Sequence, residues 1–276
     1  MLMLLSVDGL DYELIKDMDI SFFKYNNKLD IPEECFIMSG EGFTPHTTRV
    51  WASIFTGEKI DYGSIRRTGL RLSLHNLLVN MGLTWKRPSD KKRYKIDPYN
   101  IKLDTIFNYY HSFSWNCPTI DPEWIIMFPT YQTFEEYCKR ELLMWSMISE
   151  GATSQLFDLC SFYTRYVDYI GHNRPDELED AYRYIFNHAE DIDNSVDVIL
   201  LSDHGNLEKI HTDYAYIGSN HHINANSIDE LRRDFERILR ISGIEKLDAR
   251  VGYESDYTKD EENEIKRRLK NLGYIE

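Results

Sequence analysis

Val196-Asp197-Val198-Ile199-Leu200-Leu201-Ser202-Asp203-His204-Gly205 is a short, mostly apolar run that stops at a carboxylate and an imidazole. A run of this length bounded by a turn signal reads as a strand buried on both faces of a sheet. Its counterpart lies at the other end of the chain, where Leu2-Met3-Leu4-Leu5-Ser6-Val7 stops at Asp8-Gly9. In open α/β sheets, ligands collect beyond the carboxyl ends of the parallel strands. Two buried strands that each finish in a metal-capable residue therefore point to one shared rim.

Around these two strands, apolar periodicity predicts helices over 48–56, 70–81, 133–149, 176–188, 228–240 and 259–272, and shorter strands near 35–38, 111–116, 156–163 and 214–217. Strands alternating with helices of this length imply an α/β fold, with a mostly parallel central sheet and helices on both faces. Residues 61–150 differ in texture. They hold the basic segment Lys86-Arg87-Pro88-Ser89-Asp90-Lys91-Lys92-Arg93, many aromatics and weak periodicity, which predicts a small cap or insertion over the rim of a single domain spanning 1–276.

The composition fits that picture. A chain of 276 residues is the size of one large domain, and 42% hydrophobic residues with 13% aromatics supply ample core material, which excludes a disordered chain. Lys and Arg number 32 against 46 Asp and Glu, so the formal net charge is −14. That balance argues against broad electrostatic capture of nucleic acid or an anionic membrane, and makes bound cations natural partners. Cys35, Cys117, Cys138 and Cys160 are widely spaced and form no CxxC pair, so no disulfide framework is expected. The first residues have no basic region and too short an apolar run for a signal peptide or a membrane span, which predicts a soluble cytoplasmic protein.

Several residues can carry chemistry. Asp203-His204 places two metal donors on one rigid turn, and Gly205 lets the backbone turn sharply beside them. Asp168 and His172 are four residues apart and share a face if the segment is helical; a surface pair is the alternative. His211-Thr212 lies just beyond His204, and His221-His222 is a competing donor pair. In Thr44-Pro45-His46-Thr47-Thr48-Arg49-Val50-Trp51-Ala52-Ser53-Ile54-Phe55-Thr56-Gly57, Thr47 stands at the first turn of a predicted helix. Free N–H groups there favour an anion, so the hydroxyl can meet a phosphoryl group or serve as a helix cap.

Taken in order, these pieces resemble the alkaline phosphatase superfamily, in particular its type I phosphodiesterase and nucleotide pyrophosphatase branch. The resemblance spans nearly the whole chain: Val7-Asp8-Gly9, Thr47 ten residues before Gly57, Asp168-Tyr169-Ile170-Gly171-His172, Leu201-Ser202-Asp203-His204-Gly205, and Leu269-Lys270-Asn271-Leu272-Gly273-Tyr274. It implies an alkaline phosphatase-like catalytic domain that hydrolyses phosphodiester or pyrophosphate bonds with two divalent metal ions. One ion would be held by Asp8, Asp203 and His204 with Thr47 on its open side, the other by Asp168, His172 and His211. Thr47 would attack phosphorus and form a phospho-enzyme intermediate. Mixed Asp and His ligation suits zinc, and also manganese. Three Asp charges against four positive ones leave such a site cationic inside an acidic protein.

Two departures narrow the resemblance. Thr47 is followed by Arg49 and Trp51, so the Cys/Ser-x-Pro-x-Arg maturation motif of sulfatases is missing. After Gly57 the chain reads Glu58-Lys59-Ile60-Asp61-Tyr62-Gly63-Ser64, without the Pro and His-Gly of many relatives, and the insertion is too small for the extra domain of the phosphoglycerate mutase branch. The expected substrate is a small phosphate ester, with a nucleotide among the candidates. Tyr109, Tyr110, Trp115, Trp124 and Tyr131 are aromatics that either stack on a base or pack the core. No stable nucleic-acid partner and no membrane are expected. The alternatives are a phosphomonoesterase, phosphonate hydrolase or phosphotransferase of the same superfamily, or a relative that binds metal or ligand without catalysis.

Overall fold

A computed structural model of the chain describes residues 1–18, 22–39, 42–60, 103–118, 134–154, 156–207 and 210–247. Their centre is a six-stranded sheet in the order β2-β10-β7-β1-β6-β5, formed by β1 (Leu2–Val7), β2 (Tyr25–Asp30), β5 (Ser112–Trp115), β6 (Leu159–Thr164), β7 (Asp197–Ser202) and β10 (Tyr214–Ser219). β1 is central and runs parallel to both neighbours, with Leu2 opposite Leu159 on one side and Asp197 on the other. All six residues of β1 and of β6 are buried, as suits strands that are mostly apolar and covered on both faces.

The pleat sorts these side chains into two cores. Leu2, Leu4, Leu159, Ile199 and Leu201 face Val50, Trp51, Ile54 and Phe55 of α2 (Thr47–Thr56) and Phe235, Ile238 and Leu239 of α6 (Leu231–Ile241). Met3, Leu5, Cys160, Phe162, Val198 and Leu200 face the opposite layer. That layer is built from α1 (Tyr12–Asp17), α3 (Phe134–Ser154), α4 (Tyr166–Asn173) and α5 (Leu178–Glu190), with Trp145, Ile148, Ile170, Tyr182 and Ile185 buried in it. The expected α/β class, with helices on both faces, is what the described residues form. None of their helices is long and apolar enough to cross a membrane.

Some expectations are corrected. β10 runs antiparallel to β7 and to β2, because the connection from β7 to β10 carries only the short hairpin β8 (Asn206–Leu207) and β9 (Ile210–His211) and no crossover helix. The strand expected near 35–38 becomes β3 (Phe36–Ser39), which pairs with β4 (Gly42–Pro45) as a separate ribbon leading into α2. Within 61–150, expected as a cap, residues 112–115 join the central sheet beside β6, and α3 buries Met144, Trp145 and Ile148 in the core. The rest of that stretch, including the basic segment 86–93, Trp124, Tyr131 and the helix expected over 70–81, lies outside the described residues, as does the helix expected over 259–272.

Candidate metal centre

The carboxyl ends of β1, β6 and β7 lie side by side, and each delivers residues to one rim. Asp8 follows β1 directly. Gly9 then turns with φ +90, and a Cβ on it would lie 2.9 Å from the Cα of Asp168, so the close approach of these two segments requires glycine. Backbone hydrogen bonds from Asp8 N to Thr164 O (2.9 Å) and from Asp168 N to Asp8 O (3.0 Å) fix the same junction. Asp168 lies in α4, so Asp168 and His172 do share a helical face, with His172 Nε2 3.2 Å from Asp168 Oδ1.

Asp203 and His204 follow β7. Gly205 is a second forced glycine, since its Cβ would sit 2.3 Å from Asp11 Oδ2. The β8–β9 hairpin then carries His211 back to the rim, where its Nε2 lies 3.1 Å from His172 Nε2 and 3.6 Å from Asp168 Oδ1. His204 Nε2 is 3.1 Å from Asp8 Oδ1 and 3.5 Å from Asp203 Oδ2.

Two sets of donors have metal spacing: Asp168, His172 and His211, and Asp8, Asp168 and His204, the ligand atoms of each set lying within 4.8 Å of one another. In the first set the sides of the triangle are 3.1, 3.2 and 3.6 Å. Ligands about 2.0–2.2 Å from a tetrahedral zinc stand roughly 3.4 Å apart, so this triangle matches one face of such a coordination shell. His172 and His211 are part exposed, which leaves the fourth position toward solvent. The second set is sealed, with Asp8, Asp168 and His204 each 1% exposed; Asp203, wholly buried beside them, belongs to neither set.

The electrostatics around the sealed set gather carboxylate oxygens about one imidazole. Both oxygens of Asp203 and Oδ1 of Asp8 are buried without a hydrogen-bond donor, an arrangement that is costly unless a charge compensates it. Burial, and then the neighbouring Asp8 charge, push the Asp203 carboxyl well above the usual carboxylate range. Burial works against the His204 imidazolium, yet Asp203 and Asp8 outweigh it and push its pKa up to about 10. Burial also opposes ionisation of Asp168, but the hydrogen bonds from His172 and His211 hold it well below its ordinary value. The hydrogen bond to Asp168 in turn raises His172.

Thr47 is the first residue of α2, and the cap position is held by His46, so its hydroxyl is not spent as the cap. One turn on, Trp51 meets Tyr163 edge-on at 5.7 Å, and the Tyr163 hydroxyl donates to Asp8 Oδ2 at 2.8 Å. His221 does not reach the rim: its Nε2 bonds Asp197 Oδ1 at 2.6 Å, at the amino end of β7, and His222 packs edge-on against Tyr25. Tyr110 is buried in the core beside α2 and Trp115 packs, half-buried, against the opposite core, while Tyr109 donates to Asp104 and carries the Lys246 ammonium over its ring.

Three residues escaped the sequence reading. Arg165, between β6 and α4, bonds both Asp8 and Asp168. Asn206, wholly buried, sits beside Asp168, with Nδ2 3.4 Å from its Oδ1. Tyr163 supports Asp8. Only their closeness in sequence to ligand residues, Tyr163 and Arg165 to Asp168 and Asn206 to His204, could have singled them out.

No family model and no curated protein matches the chain. Among solved structures it is similar to the PH0037 protein from Pyrococcus horikoshii, at a TM-score of 0.41 and 11% identity over 80% of this chain and 86% of that one, a likeness that does not bear on function.

Proposed function

We propose that this chain is a two-metal hydrolase of phosphodiester or pyrophosphate bonds in a small phosphate ester such as a nucleotide, with Thr47 as the nucleophile. The observation that carries the reading is the gathering of Asp8, Asp168, Asp203, His172, His204 and His211 at one rim. Buried carboxylate oxygens without donors stand there beside an open triangle of ligand atoms 3.1–3.6 Å apart.

Asp8, Asp203 and His204 would hold one divalent ion, zinc or manganese, and Asp168, His172 and His211 the other. Such ions, when bound, lower the pKa of an attacking hydroxyl and neutralise phosphoryl oxygens. The protein's own contribution is placement. The N–H groups of Thr47 and Thr48 precede the first intrahelical bond of α2 and favour an anion. The Thr47 hydroxyl would attack phosphorus there, losing its proton to solvent as the ester oxygen departs and takes up a proton, and water would then cleave the phosphothreonine bond, restoring the hydroxyl and releasing the phosphoryl product. The buried floor of Asp8, Asp203 and His204 keeps bulk water from that side.

The test is turnover of an activated phosphodiester by metal-replete protein, with elemental analysis in parallel. Thr47→Ala is expected to lower the rate by at least about 10³-fold while both metals stay bound. Normal turnover by that variant, or fewer than two ions per wild-type chain, sinks the reading.

A further inference from the structure

Arg165 is the rim residue that neither ligation nor nucleophilic attack uses. Its guanidinium reaches across the junction of β1 and α4, donating from Nε to Asp8 Oδ2 at 3.0 Å and from Nη2 to Asp168 Oδ2 at 2.7 Å. Nε and Nη2 are parallel donors of one planar fork, a shape that fixes orientation as well as charge. Here the fork grips two carboxylates rather than one.

The other oxygen of each carboxylate is turned the opposite way. Asp8 Oδ1 lies 3.1 Å from His204 Nε2, and Asp168 Oδ1 lies 3.2 Å from His172 Nε2 and 3.6 Å from His211 Nε2. In both groups, then, Oδ2 belongs to Arg165 and Oδ1 faces imidazole nitrogens. The partition is shared by residues 160 positions apart that come from different elements, and a single rigid cation enforces it on both.

We propose that Arg165 is a positioning residue that aligns Asp8 and Asp168 so that each presents Oδ1 to a metal ion. The proposal rests on the two-metal reading above and deepens it. A fixed positive charge near two cations would by itself weaken their binding, so Arg165 supports ligation only where orientation outweighs repulsion. The two roles predict opposite results. As a simple counter-charge, Arg165 could be replaced by lysine without effect, and its neutralisation would tighten metal binding. As a positioning fork, it cannot be replaced by lysine, which has no planar pair of donors.

The experiment is a competition titration of zinc against a chromophoric chelator, with thermal melts of the chelated proteins as a folding control. Arg165→Lys and Arg165→Gln are each expected to weaken both zinc-binding steps, by about 10–100-fold, the range for lost partners of metal ligands. Tyr163→Phe, which removes the other donor to Asp8 Oδ2, is expected to weaken one step only. In isotope-labelled wild type, which needs no variant to fold, the Arg165 Nε–H is expected to stay protected from solvent exchange when zinc is added. Wild-type affinity in Arg165→Lys, tighter binding in Arg165→Gln, or release of the Nε–H on zinc addition overturns the proposal and leaves the two-metal reading standing. A wild type that binds neither zinc nor manganese overturns both.

Discussion

The rings of His204 and His211 lie stacked, with centroids 4.0 Å apart and planes 16° apart, although the first follows β7 and the second ends the hairpin beyond it. The stack depends on Thr212, whose N–H donates to Gly205 O at 3.0 Å while its Oγ1 accepts from Gly205 N at 2.7 Å and donates to Tyr214 O at 3.1 Å. Thr212→Val keeps the shape but leaves the Gly205 N–H without its acceptor. It is expected to cost about 1–3 kcal/mol, read as a lower Tm, and to weaken zinc binding at the group containing His211. An unchanged Tm refutes the assigned brace.

Asp203→Asn separates stability from ligation. The native carboxylate is wholly buried, has no donor on either oxygen and faces Asp8. Asparagine cannot ionise and brings N–H donors toward Asp8. In chelator the variant is expected to be more stable than wild type, by about 1–3 kcal/mol. In zinc the order is expected to reverse, because only the wild type gains stability from the bound ion. A variant less stable than wild type in chelator would show that Asp203 already has its compensation within the protein.

Metal affinity is expected to rise with pH. His204 is pushed up to about 10 and His172 is raised above its ordinary value by Asp168, so an ion must displace a proton from His204 at neutral pH and competes more strongly with protons at His172 than at a free imidazole. Calorimetry in buffers of differing ionisation enthalpy should register proton release on zinc binding. The sign for the metal-free protein is opposite: the raised His204 contributes stability fully below about pH 6.5, lost as pH rises through about 10. Affinity that is flat between about pH 6 and 8 would contradict the assignment of these histidines as ligands.

Gly9→Ala addresses the junction itself. The new Cβ would stand 2.9 Å from Asp168 Cα and 3.0 Å from its N, on a backbone with φ +90. Both the clash and the strain act on the Asp8–Asp168 spacing, and a loss of about 1–3 kcal/mol is expected, together with weaker zinc binding. Chemical denaturation of the chelated proteins measures the first effect.

What the sequence makes legible follows burial. β1 and β7 stand out because strands flanked on both sides and covered on both faces must be apolar throughout, and Asp168 and His172 stand out because helical spacing is regular. β2 is hidden in Tyr25-Asn26-Asn27-Lys28-Leu29-Asp30, since an edge strand paired only to β10 buries little beyond Leu29. His211 could be paired with His172 only through the β8–β9 hairpin, whose two-residue strands leave almost no pattern. Arg165 reads in sequence as an ordinary surface arginine before a helix. Its contacts with Asp8 and Asp168 depend on the parallel register that sets Val7 beside Thr164.

That register also has a history. β1 is the middle of the sheet, yet its neighbours begin at Leu159 and Asp197. At roughly 5–20 residues per second, a ribosome takes on the order of ten seconds or more to deliver β7 after β1. Until β6 is made Leu2–Val7 is an apolar segment with neither partner strand, and its other edge stays open until β7 follows. The rim is thus completed only when β7 has been delivered, and the nascent chain must shelter its own central strand until then.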